Sequence, residues 1–234
     1  LTYGIGYAIR SEGFTSLEDI INGLNLEAGE ARQLMDRLLL INVVKRGFLL
    51  SCARCRWEAF YRIEHVGPTF TCQACEHVSP LTHGRWYKED PEPHIYYALD
   101  QVVRNLLNQH GYLPILAAAE LGKDARSVLW TSEFSVVTDS DSIELDLCLI
   151  VDGRIIVGEA KSNGILKAEH GTQEAAKRLA EAAHILTADE IVLATTKERW
   201  AAGTATLVAQ ALDTHWKRGP RPRLRELLNV GSDS

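Results

Sequence analysis

The stretch IELDLCLIVDGRIIVGEAK, residues 143–161, constrains this chain more tightly than any other, because its turn sets the register of two strands. Asp152 and Gly153 are a favoured pair for a two-residue type I′ turn, in which both central positions need positive φ. With those two as the loop, Val151 opposes Arg154, and in step with that pair Asp146 opposes Glu159 and Glu144 opposes Lys161. Alternation places Glu144, Asp146, Glu159 and Lys161 on one face together with Ile150, Ile155 and Val157. The other face carries Ile143, Leu145, Leu147, Leu149, Ile156, Gly158 and Ala160.

On a plain solvated sheet, Glu144 and Lys161 would be an ordinary cross-strand ion pair, but Asp146 against Glu159 would bring like charges to within about 5 Å at Cβ and destabilise the hairpin. The apolar residues sharing that face imply partial burial, which makes the repulsion worse. A divalent cation between the two carboxylates resolves it. Hard oxygen ligands at this separation suit Mg²⁺ or Mn²⁺ and leave positions free for water and a phosphate oxygen.

Four of the five cysteines are paired: Cys52 with Cys55 and Cys72 with Cys75, each two residues apart, with sixteen residues between the pairs. This is the spacing of a structural zinc site, in which two knuckles close a tetrahedron with no position open for substrate. Two disulfides or four free thiols are the alternatives. His65, His77 and His83 are near enough in sequence to replace a cysteine as ligand, although four thiolates already suffice. Cys148, within an apolar strand, reads as a small buried hydrophobe.

Across the 234 residues, five segments are expected. Residues 1–50 carry two amphipathic helices. The first is capped by Ser16 with Asp19 three residues on, and the second has Leu34, Leu38 and Ile41 on one stripe. "VVKRGFLL" follows as strand, turn at Gly47 and strand, so the whole reads as winged-helix-like. Residues 51–80 read as a zinc ribbon with strands in "RWEAFYRIEHV" and "PTFTC", and 81–92 as a linker rich in charge and proline. Residues 93–216 are mixed α/β: a helix over 95–107, a second short helix, three strands, a helix, a strand and a closing helix, with helices on both sides of a small mixed sheet. Residues 217–234 are a basic tail containing Lys217, Arg218, Arg221, Arg223 and Arg225, either a local nucleic-acid groove or a solvated end.

The order of those elements, with Asp146 on one strand and Glu159-Ala160-Lys161 on the next, resembles the PD-(D/E)xK nuclease superfamily over residues 93–216, just over half the chain. The resemblance implies a restriction-endonuclease-like αβββαβα core. It implies Asp146 and Glu159 as ligands of a catalytic Mg²⁺ or Mn²⁺, the Ala160 carbonyl as a third, and Lys161 as the group that positions or helps deprotonate water and stabilises the transition state. Leu145 stands where the family often has proline. Glu144 would hold a second metal or pair with Lys161; Asp100, Glu120 and Glu133 compete as an additional acid; and Gln173, at the start of the next helix, would touch substrate or water.

The expected activity is therefore metal-dependent phosphodiester hydrolysis, on DNA ahead of RNA, in genome defence (including antiviral defence), repair or recombination. The N-terminal modules would hold substrate or dock a protein partner. A non-catalytic nucleic-acid-binding or protein-docking module on the same fold is the alternative; a transcription regulator would leave the acidic hairpin unexplained. A net charge of −6 argues against coating nucleic acid by bulk attraction. With no apolar run of the roughly 18 residues a span requires and no signal peptide pattern, a cytoplasmic location without membrane partners is expected. A chain that opens at Leu1 is expected to be part of something longer.

Overall fold

The computed structural model describes residues 13–87, 93–137, 142–167, 171–216 and 220–231. It divides into two compact units, Leu1–Gln109 and His110–Ser234.

In the first unit, β1 (Thr15–Ser16) leads into α1 (Leu17–Leu24), which is capped as the sequence predicts: Ser16 Oγ accepts from the Asp19 amide and Asp19 answers to the Ser16 amide. Helix α2 (Ala28–Leu40) buries Ala31, Leu34, Met35 and Leu38, but ends before Ile41, which is exposed. Strands β2 (Val44–Ser51), β3 (Glu58–Arg62), β4 (Thr69–Thr71), β5 (Val78–Pro80) and β6 (Tyr96–Leu99) and helix α3 (Gln101–Asn108) complete the unit. The four-stranded sheet has the order β1-β6-β2-β3, and β4-β5 is a separate hairpin.

Two expectations fail here for physical reasons. Gly47 is no turn: β2 runs straight through it, because a Cβ there would lie 2.1 Å from the Tyr61 carbonyl oxygen of β3. Glycine serves a close backbone approach, and the hairpin of a winged helix does not form around it. The helix expected over 95–107 is a strand followed by a shorter helix. "YYAL" is rich in strand formers and pairs with both β1 and β2, and Asp100, accepting from the Val102 amide, starts the helix only after it. Residues 93–109 thus belong to the first unit and not to the nuclease-like segment.

The second unit runs α4 (Tyr112–Gly122), β7 (Val128–Val137), β8 (Ser142–Val151), β9 (Arg154–Ala160), α5 (Thr172–Ile185), β10 (Glu190–Ala194), α6 (Thr204–His215) and β11 (Arg223–Leu227). This is a mixed α/β fold whose sheet has the order β11-β10-β9-β8-β7, antiparallel through β7-β8-β9 and parallel through β9-β10-β11. Its first helix is α4, the segment expected as a second short one. Strand β11 replaces part of the expected basic tail. Its arginines alternate with leucines at a sheet edge, Arg225 pairs with Glu190, and Arg221 just before it pairs with Asp213; Lys217 and Arg218 lie outside the described residues.

Both faces of this sheet are covered. Helix α4 packs on Leu147, Leu149, Ile156 and Val192, while α5 and α6 pack on Val157, Ile191 and Leu193. Ile143 and Leu145, expected beside Leu147 and Leu149, pack instead in the α5 and α6 cluster. They lie beyond the point where β8 stops pairing with β9, and beyond Glu133 on β7, whose φ of 41° marks a break in the β7-β8 ladder opposite Asp146. Gly158 packs so close to β10 that a Cβ would lie 2.2 Å from the Val192 carbonyl oxygen. Gly158→Ala should therefore cost about 1–3 kcal/mol of stability in urea unfolding; an unchanged midpoint would mean that this approach does not hold β9 in place.

Candidate functional site

The hairpin turn forms as the sequence predicts. Asp152 and Gly153 have φ of 49° and 81°, and the β8-β9 register runs from Val151 against Arg154 to Leu147 against Gly158. There the ladder ends, one step short of Asp146 and Glu159. The Ala160 amide donates to Asp146 Oδ2 at 2.8 Å, so a side chain takes the place of the next strand carbonyl. The Lys161 amide donates to Ala194 on β10, which anchors that residue from the other side.

The ammonium of Lys161 lies 2.8 Å from Asp146 Oδ2 and 2.8 Å from Glu159 Oε2. Lys161 was expected opposite Glu144; because the pairing stops early, it turns onto the two inner carboxylates instead, and Glu144 is exposed at the rim. Side-chain exposures of 15% for Asp146, 13% for Glu159 and 34% for Lys161 place the trio at the bottom of a cleft of about 310 Å³. Burial, followed by the charge of Asp146, pushes the Glu159 carboxyl up to about 7. Desolvation works against the Lys161 ammonium, but Glu159 and Asp146 outweigh it and raise its pKa.

The cleft brings together some of the candidates and leaves others out. Glu133 stands across from Asp146 at the break in the ladder, exposed and at its left-handed φ. Glu120 sits exposed on α4, the helix covering the opposite face of the sheet. Asp100 belongs to the first unit, where it caps α3 and lies 3.7 Å from both Lys45 and Arg62. Gln173 is exposed at the start of α5 and does not line the cleft. Ala160 ends β9 with its amide on Asp146. Two cations that sequence reasoning missed do line it: Lys167, after β9, and Arg178 on α5, which also donates to the Ser142 carbonyl. A signal for Arg178 existed, since it falls at helical spacing between Ala175 and Ala182, on the stripe that is otherwise apolar.

In the first unit the four cysteines meet. Their Sγ atoms all lie within 4.8 Å of one another, with Cys52 to Cys75 at 3.7 Å and Cys55 to Cys72 at 3.6 Å. A tetrahedral zinc with bonds of about 2.3 Å needs sulfurs roughly 3.8 Å apart, so the set fits a metal ion such as zinc. The two knuckles share one hydrogen-bond pattern. The amides of Arg54 and Ala74 donate to the first sulfur of each pair, those of Arg56 and Glu76 donate to the first cysteine's carbonyl, and Arg56 and Glu76 both take left-handed φ. The amides of Cys55 and Arg54 lower the Cys52 thiol to about 6, as amide bonds also lower that of Cys72. At Cys55 the Trp57 amide acts downward but is outweighed by desolvation and the neighbouring sulfurs, which push that thiol up to about 12. A dication would remove this conflict by accepting all four as thiolates. Cys148 stands apart, half-buried in β8 with its thiol pushed up by burial.

No family model and no curated protein matches this sequence. Two solved structures show weak likeness. One is Can2 from Sulfobacillus thermosulfidooxidans, in complex with cyclic tetra-adenylate, at 12% identity over 98% of this chain and 48% of that one, with a TM-score of 0.35. The other is protein VC1899 from Vibrio cholerae, at 9% identity over 96% of this chain and 48% of that one, with a TM-score of 0.37. The chain thus spans about half the length of either protein. No helix among the described residues is long and apolar enough to cross a membrane.

Two outcomes are expected. In metal-free protein, Glu159 binds a proton more tightly folded than unfolded, because its pKa rises from 4.5 to about 7. Its contribution to stability is thus lost as pH rises between those values, with a slope of up to about 1.4 kcal/mol per pH unit. Urea melts across that range should show the slope, and Glu159→Gln should flatten it. Separately, the protein should carry one zinc per chain by elemental analysis, and Cys72→Ser should lose both the metal and the tertiary structure of the first unit.

Proposed function

We propose that the second unit hydrolyses phosphodiester bonds in nucleic acid, DNA ahead of RNA, with a divalent metal. One observation carries the reading: two half-buried carboxylates on adjacent strands share a single lysine at 2.8 Å, in a cleft whose wall adds Lys167 and Arg178. Two acids and one lysine leave the trio with excess negative charge away from water. That is an environment a dication stabilises, and the flanking cations suit phosphates on either side. The PD-(D/E)xK resemblance supports the same roles, and the succession α4-β7-β8-β9-α5-β10-α6 is the order it implies.

Asp146 and Glu159 would hold Mg²⁺ or Mn²⁺, whose chemistry when bound is to polarise a phosphoryl oxygen and acidify water. Lys161 now sits between the two carboxylates, where it neutralises part of their charge. Lys161 would position water or help deprotonate it, and stabilise the charge that develops on the phosphoryl oxygens. Lys167 and Arg178 bind the neighbouring phosphates and hold the strand in line. Of the remaining acids, Glu144 lines the cleft and is the candidate to join the metal, whereas Glu133 opposes Asp146 across the broken ladder without lining the cleft. The first unit would supply substrate holding or a protein contact, and the pathway would be genome defence, repair or recombination within a larger assembly.

The test is cleavage of labelled single-stranded DNA, duplex DNA and RNA with Mg²⁺ or Mn²⁺. Lys161→Ala and Asp146→Asn should each lower the rate at least about 100-fold. Arg178→Ala should act mainly on KM. Cutting by Lys161→Ala at the full rate, or no cutting by the unaltered protein on any substrate form, would leave the trio as an ion-paired binding platform.

A further inference from the structure

The two cysteine knuckles place opposite surface chemistry on one backbone design. The first presents Arg54, Arg56 and Trp57, all exposed; the second presents Gln73, Glu76 and His77. Trp57 is 55% exposed, and its ring stacks on no other ring among the described residues. No carboxylate pairs with Arg54 or Arg56 among those residues. The backbone beneath them is held: the Arg54 amide binds the Cys52 sulfur, the Arg56 amide binds the Cys52 carbonyl, and the Trp57 carbonyl accepts from the Cys52 amide. An indole and two guanidinium groups thus stand in water on a rigid support.

From this arrangement we infer that the tip of the first knuckle is a contact for single-stranded nucleic acid, with the Trp57 indole stacked on an unpaired base and Arg54 and Arg56 on adjoining phosphates. A duplex keeps its base faces inside the stack, so an aromatic ring on a protruding tip has a partner only where bases are unpaired. Offsetting the charge of a zinc tetrathiolate could occupy the two arginines. That role would be opposed by Glu76 on the matching knuckle, and it leaves the exposed indole without a purpose. The inference deepens the nuclease reading by stating which form of nucleic acid the first unit holds, yet binding here can be measured with no cleavage at all.

The experiment uses the full zinc-loaded chain in buffer without added Mg²⁺, Mn²⁺ or chelator, and fluorescence anisotropy with a labelled oligothymidylate strand and a duplex of equal length. Trp57→Ala should weaken single-strand binding at least about fivefold, and Trp57→Phe should restore most of it. The double variant Arg54→Ala, Arg56→Ala should lower the slope of log affinity against log salt by about 1.4, corresponding to two lost phosphate contacts. All variants should retain one zinc per chain. Equal binding by all variants with zinc intact overturns the inference, as does loss of zinc in step with binding in the arginine variant. A protein that binds in this Trp57-dependent way but cuts nothing would retain the contact and lose the nuclease reading.

Discussion

The second unit depends on how it keeps two carboxylates out of water within reach of one ammonium. Glu159 and Asp146 would repel each other on any sheet face, and burial, followed by the charge of Asp146, pushes the Glu159 carboxyl up to about 7. Lys161 compensates by bonding to both, and it can do so because the β8-β9 ladder ends one pair early and frees the space between them. Several features far from the charges serve this one arrangement. The Asp152-Gly153 turn sets the register, Asp152 ties that turn to the amides of Arg126 and Ser127, and Gly158 lets β9 approach β10 so that Ala194 can anchor Lys161.

The first unit solves a different problem. Around the knuckles its apolar cluster is small, with Leu50, Tyr61 and Phe70 at the centre. Four sulfurs at metal-binding distances would, with an ion bound, supply the cross-link that so little buried surface cannot. The first knuckle is also the turn of the β2-β3 hairpin, so the strand that runs through Gly47 into Cys52 joins the sheet to the cysteine cluster in a single stretch of backbone.

Much of this was legible in the residues. Turn chemistry at Asp152-Gly153 predicted the register, cysteine spacing predicted the four-sulfur cage, and the Ser16-Asp19 pair predicted a capped helix. What escaped was decided by neighbours in space. "YYAL" is short and runs on into an apolar pattern that reads as a helix, and "RLREL" is short and polar at alternate positions; each is a strand because a partner offers its hydrogen-bonding edge. Gly47 carries a turn signal in sequence, but a carbonyl of β3 decides its use. Lys167 and Arg178 are ordinary surface-type residues until the loop after β9 and helix α5 bring them to the same cleft.

The sequence by itself determined which strand residues face one another, because a two-residue turn leaves no freedom in register and side chains alternate with a period of two. It also determined that four thiols would converge, because each pair is held on a knuckle of fixed length. Only the tertiary structure decided where the ladder stops, and hence that Lys161 bonds Asp146 and Glu159 and not Glu144. Pairing along two strands is a local matter, but its end is set by what packs on either side: the kink at Glu133, the close approach of β10 at Gly158 and the small-residue face of α5.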